Sequence, residues 1–198
     1  LCLEFRRVLF RSVRIVVPGL YGYVSATKWD PGPGFDWERV LIGLKGQQLY
    51  WEDLNEGDQF DSPTRTITEA DVANFACLSG DFNRLHVDAE YAADSAFGQR
   101  IAHGLLVVSV MSGLTTRMLM NTFLEPSLLG LLDMQCSFPN PTFIGDTIGV
   151  RVTVAEKRET SKPERGILSF RREVINQRGE TVVEGVWKLL VRRAPQGG

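Results

Sequence analysis

The stretch from Leu105 to Leu119 limits what this chain can be. Leu105, Leu106, Val107, Val108, Val110, Met111 and Leu114, then Met118 and Leu119, follow helical spacing and leave almost no polar face. Such a helix has to be covered on most sides. It is too short for a bilayer, which takes about 20 apolar residues, and Ser109, Ser112 and Gly113 interrupt it. It reads as a buried helix.

The last third supplies the cover. Thr147 to Val154 sets Ile148, Val150, Val152 and Val154 against small or charged partners, the alternation of a half-buried strand. Leu168 to Ile175 and Thr181 to Val191 continue the pattern, joined by the hairpin signal Asn176-Gln177-Arg178-Gly179. Leu128 to Phe138 adds a strand before Pro139 and Pro141. Upstream, Gln59 to Ile67 reads as an edge strand. Thr68 with Asp71 forms a capping box opening a helix through Val72, Phe75, Ala76 and Leu78, which Gly80 stops. A polar loop from Asp81 to Asp88 leads into a short helix, Ala89 to Ala93. One strand, helices and then several antiparallel strands make an α+β domain with its sheet wrapped around the apolar helix.

At 198 residues, 43% hydrophobic and 23% charged, the chain is sized for one domain with its own core. The domain is placed at residues 49–194, with 195–198 as a tail. Residues 1–48 differ, carrying seven basic and four acidic side chains and six glycines without sustained periodicity. Val8-Leu9-Phe10-Arg11-Ser12 can be encoded by a string that resembles the end of a sequencing-library adapter. Residues 1–12 therefore read as non-native, and the Arg-rich start is given no targeting role. The net charge of −2 leaves no cation excess for nucleic acid. Three cysteines, Cys2, Cys77 and Cys136, with no CxxC pair, argue against a disulfide framework or structural zinc and for the cytoplasm.

Only two histidines occur. His86 follows Asp81 by five residues, close enough for a loop to turn a carboxylate and an imidazole onto one water, the pairing general acid–base catalysis needs. Taken alone, a turn carboxylate and a structural histidine explain the pair better. His103-Gly104 adds a second element. Gly104 opens the apolar helix, so its N–H lacks an intrahelical acceptor and suits a developing oxyanion, and without a Cβ it admits a ligand closely. Tight packing explains the same glycine. Ser112, eight residues further on, could turn inward to a catalytic group or back to a carbonyl one turn earlier. No GxSxG, complete dinucleotide loop, GxxxxGK[ST] or HExxH is present, so the chain is expected to hold neither metal nor cofactor.

The ordered blocks Leu78-Ser79-Gly80-Asp81-Phe82-Asn83-Arg84-Leu85-His86-Val87-Asp88, Ala96-Phe97-Gly98, Ile101-Ala102-His103-Gly104-Leu105-Leu106 and Phe138-Pro139-Asn140-Pro141-Thr142-Phe143-Ile144-Gly145-Asp146 resemble the MaoC-like dehydratases, (R)-specific enoyl-CoA hydratases with a hotdog fold. The resemblance covers residues 50–193. It implies a catalytic dyad at Asp81 and His86, an oxyanion donor at the Gly104 N–H and a supporting serine at Ser112. Asn83, Arg84 and His103 are assigned to loop bracing and substrate binding. The family motif has Pro where Arg84 stands, so Arg84 is expected to loosen the loop or bring a cation to the tunnel mouth.

The implied reaction is reversible syn addition of water to a trans-2-enoyl-CoA, the coenzyme A being part of the substrate. The resemblance also implies a homodimer with the thioester bound near the subunit boundary, and Arg100, Lys157 and Arg158 are candidates for its phosphates. Neither a membrane nor a nucleic acid is an expected partner. Two other readings stand beside this one: a hotdog thioesterase, which sends water to the thioester carbonyl, and a non-catalytic acyl-CoA-binding subunit. The joint Asp81, His86 and His103-Gly104 pattern favours the hydratase over both.

Overall fold

The structure, a computed structural model, describes residues 48–195. The expectations for residues 1–47 and for the last three residues lie outside them. A 3₁₀ turn (Trp51–Asp53) precedes strands β1 (Gln59–Asp61) and β2 (Arg65–Thr66) and helices α1 (Glu69–Ser79), α2 (Arg84–Val87) and α3 (Ala89–Ala93). The central helix α4 (Gly104–Thr116), a short α5 (Leu119–Leu124), a second 3₁₀ turn (Glu125–Ser127) and strands β3 (Leu128–Ser137), β4 (Thr147–Glu159), β5 (Arg165–Asn176) and β6 (Thr181–Arg192) complete the order.

All strand pairs are antiparallel, in the order β1-β4-β5-β6-β3, with β2 also on β4. The expected alternation places Ile148, Val150, Val152 and Val154 on the inner face of β4. They meet Val107, Met111 and Leu114 of α4, all buried. Removing side chains of that size from water stabilises by about 1.5–3 kcal/mol each. This is the hotdog arrangement, a sheet curled around one helix.

Two boundaries differ from expectation, and so does the cover that the described residues give the central helix. The Gln59 to Ile67 strand is two short strands, because Pro63 has no N–H to give the ladder. The central helix ends at Thr116, and the following helix leaves at 72°. The Thr115 and Thr116 hydroxyls donate back to the carbonyls of Met111 and Gly113, both at 2.8 Å. Hydroxyls competing for helical carbonyls weaken a helix end. The cover over α4 is also incomplete: Leu105, Ser109, Gly113 and Thr116 form an open stripe. Among the described residues no single helix is long and apolar enough to cross a membrane.

Candidate active site

The expected capping box forms. The Thr68 hydroxyl accepts from the Asp71 N–H, and the Asp71 carboxylate accepts from the Thr68 N–H. Burial pushes the Asp71 carboxyl up, but hydrogen bonds from Thr68 and Arg65 outweigh it and hold the group below the usual carboxylate range. At the other end Gly80 takes the left-handed conformation (φ +75°) and donates to the Ala76 carbonyl at 2.9 Å. A side chain there would be strained, and the turn it permits delivers Asp81.

The polar loop contains a helix. Asp81 Oδ1 accepts from the Asn83 N–H (3.2 Å), Asn83 caps α2 by accepting from the Leu85 N–H (3.0 Å), and Asp88 caps α3 by accepting from the Tyr91 N–H (3.0 Å). These caps hold a four-residue helix that no apolar periodicity announces. It presents His86 toward the segment Ile101-Ala102-His103, where the Ile101 carbonyl accepts from His86 Nδ1 at 2.8 Å. A carbonyl only accepts, so the proton sits on Nδ1 and Nε2 keeps its lone pair. That segment is fixed to the far wall by the Ala102 N–H donating to the Thr142 carbonyl (2.8 Å) and by an Ile101–Phe143 bridge.

Asp81, His86, His103 and Gly104 line one cavity of about 480 Å³, with Phe97, Leu105, Val107 and Phe138 forming apolar wall. Gly104 begins α4, and Phe138 lies against it: a Cβ at Gly104 would come within 2.7 Å of the Phe138 ring. Asp81, His86 and His103 each offer a donor atom, all within 4.8 Å of one another, a spacing that suits an ion or a water. The two imidazoles lie against each other at a tilt, centroids 3.8 Å apart and planes 31° apart.

Several expected residues are placed elsewhere. Asn83 caps α2 and Arg84 is absent from the cavity wall; its guanidinium donates to Asp88 (2.9 and 3.0 Å) and lies 4.2 Å from the Tyr91 ring centre. Arg84 is thus engaged at the surface with Asp88 and Tyr91, and no Arg84 cation faces the cavity. Ser112 is half-buried along α4, and among the described residues no hydrogen bond joins it to Asp81 or His86. His103 lines the cavity but is only 2% exposed, its Nε2 turned to the Asp81 carbonyl. Arg100 pairs with Glu69 and Lys157 turns to the Leu54 carbonyl and the Trp51 ring, so neither is aimed at the cavity; Arg158 lies outside its wall too. Hydrogen bonds from Arg100 hold the Glu69 carboxyl below the usual range. Sequence reasoning missed Phe138 as cavity wall, although it opens the Phe-Pro-Asn-Pro block. It also missed the Ile101 carbonyl, for which a backbone group gives no signal.

Residues 54–172 match the family description "MaoC like domain". The chain belongs to the MaoC-like dehydratase family. This MaoC-like domain is 34% identical over 142 residues to the (R)-specific enoyl-CoA hydratase of Rhodospirillum rubrum, covering 72% of this chain and 91% of that one. It is 40% identical over 116 residues to Protein MaoC of Klebsiella aerogenes, covering 59% of this chain and only 33% of that longer protein. Among solved structures, the monoamine oxidase regulatory protein of Archaeoglobus superposes with a TM-score of 0.71 at 34% identity, over 75% of this chain and 97% of that one. Relatives of this MaoC-like domain are named hydratases and dehydratases, which makes hydro-lyase chemistry the property of the family.

Proposed function

We propose that this chain is an (R)-specific enoyl-CoA hydratase, adding water reversibly and syn across a trans-2-enoyl-CoA. The observation that carries the reading is the convergence of the Asp81 carboxylate, the His86 imidazole and the Gly104 N–H on one cavity. The thioester class and the (R) sense follow the name of the Rhodospirillum relative.

Asp81 and His86 Nε2 hold a water. As its oxygen bonds to C3, one water proton passes to the pair, and the pair delivers a proton to C2 on the same face. The electron pair of the double bond moves onto the thioester oxygen, where the Gly104 N–H at the positive end of α4 stabilises it, and returns as the C2–H bond forms. Acid–base action of this kind gives about 10²–10⁴-fold, and one oxyanion donor about 3–4 kcal/mol. The apolar wall accepts the acyl chain and keeps bulk water from the enolate.

Hydration consumes the conjugated enoyl-thioester absorbance. Wild type is expected to remove it from crotonyl-CoA and longer trans-2-enoyl-CoAs and to yield the (R)-3-hydroxy product. Asp81→Asn and His86→Ala are expected to lose most turnover while remaining folded by circular dichroism. Near-normal turnover in either variant would refute the dyad. Free thiol released together with an enoic acid that keeps its C2–C3 double bond would move the assignment to a thioesterase.

The protein works as a homodimer in this reading. Among the described residues the outer edge of β3 is unpaired, and it carries half-exposed Leu129, Leu131, Leu132 and Met134. The open stripe of α4, led by Leu105 at 64% exposure, adds apolar surface. A long apolar edge strand demands a partner, and a second copy supplies a complementary edge.

A further inference from the structure

His103 is the part of the site that the mechanism above does not use. Its ring is buried, with Phe75 on one side (centroids 5.1 Å apart) and His86 on the other at 3.8 Å. Nε2 lies 3.0 Å from the main-chain carbonyl of Asp81 and donates to it, since a carbonyl cannot donate. Nδ1 is buried, with no hydrogen-bond partner among the described residues. One side chain therefore touches both members of the dyad, the backbone of one and the ring of the other.

We infer that His103 is a positioning residue that fixes the spacing and aim of Asp81 and His86. This rests on the reading of those two residues as the catalytic dyad. Asp81 follows a left-handed glycine and precedes a four-residue helix, and among the described residues its carboxylate and N–H bond only to Asn83 and Ser79, each two residues away. The His103 bond ties that loop to the start of α4, across 22 residues of sequence. Two residues earlier, Ile101 grips His86 through its carbonyl and Leu85 through its N–H at 3.2 Å. The segment Ile101-Ala102-His103 thus acts as a jig. One end holds the ring, the other holds the carboxylate-bearing backbone, and the next residue is Gly104. An unpartnered buried nitrogen costs stability, and the hydrogen bond from the opposite ring nitrogen is what that cost secures.

The test separates the donor from the ring. His103→Phe keeps a ring against His86 but removes the N–H. His103→Gln places an amide N–H near the position of Nε2, and His103→Asn is one bond too short to reach. Steady-state hydration of crotonyl-CoA is measured for all three beside wild type and Asp81→Asn, with circular dichroism to confirm folding. The Phe and Asn variants are expected to lose about 100-fold in kcat, the size of a misplacement near 1 Å. KM is expected to stay within about threefold, and Gln to remain within about tenfold of wild type in kcat, since interactions made in the transition state register there. The inference is overturned if His103→Phe keeps kcat within about threefold of wild type, if Gln falls as far as Asn, or if the losses fall on KM alone. Should the Phe variant not fold, the contrast between Gln and Asn decides. An Asp81→Asn enzyme as active as wild type would overturn the dyad itself, and with it the role of His103.

Discussion

Gly104 is held to glycine from outside as well as from within its own helix. The Phe138 ring occupies the space a Cβ would need, with Cε1 at 2.7 Å and Cδ1 at 3.0 Å. Gly104→Ala must therefore push Phe138 into the cavity or tilt the first turn of α4, and either displaces the N–H assigned to the thioester oxygen. The expected loss in kcat/KM is about 10²-fold, the cost of a small misplacement at a reacting centre. Combining the change with Phe138→Leu should recover part of it, because neighbouring sites couple. Equal activity of Gly104→Ala and wild type in the crotonyl-CoA assay would remove the oxyanion role. Arg84 is the opposite case, a position tolerant of change. It is the first residue of α2, where proline fits a helix, and its side chain is spent on Asp88 and Tyr91, away from the cavity. Arg84→Pro is expected to leave kcat and melting temperature close to wild type; a large loss of turnover would return Arg84 to the site.

Elements divide by what makes them legible. The strands β4, β5 and β6 and helix α1 were readable because alternation, turn residues and caps are local, and Asn176 to Gly179 turns the chain as its composition indicates, with Gly179 at φ +80°. The four-residue α2 was not, since it owes its existence to the Asn83 and Asp88 side chains capping backbone groups and looks like a polar loop in sequence. The candidate dyad was legible only through the spaced blocks of a family pattern. Its assembly was not, because the bonds that close it join His86 to Ile101 and His103 to Asp81 across 15 and 22 residues. Strand β3 carries the clearest consequence at this scale. Leucines alternate poorly along it, and both faces stay largely open. An outer edge of this kind is covered by a second chain or invites aggregation. Leu131→Glu, at a position 51% exposed, is expected to sediment as a monomer where the wild type sediments as the proposed dimer. A wild-type chain that sediments as a monomer, or a variant that stays dimeric, would overturn the assignment of that edge.

At the scale of the whole molecule the sheet and the site share one fastening, the turn from Phe143 to Asp146. Asp146 is nearly buried. Its carboxylate accepts from the Phe143 N–H (2.9 Å), Gln177 Nε2 (2.8 Å) and Arg178 Nη1 (2.8 Å), so it pins the β5–β6 hairpin to the start of β4. Burial pushes the Asp146 carboxyl up, but these hydrogen bonds outweigh it and the net displacement is downward. Glu69 and Asp71, on the helix that delivers Asp81, are lowered as well. A carboxyl held lower in the folded chain than in the unfolded one contributes stability that is complete above its unfolded value and disappears as pH falls through its folded value. The urea midpoint is therefore expected to be level from neutrality down to about pH 5 and to fall steadily below about pH 4, where ordinary carboxylates protonate. Asp146→Asn should lower the midpoint at pH 7 and flatten its fall in acid. The same turn leads through Phe143 and Thr142 to Ile101 and Ala102, the segment that grips His86. Protonating Asp146 thus loosens the wall on which the dyad is mounted, and hydration activity in acid should be lost together with the fold. A midpoint at pH 3 equal to that at pH 7, or an Asp146→Asn variant as steep in acid as wild type, would show that this turn is not the acid-sensitive fastening.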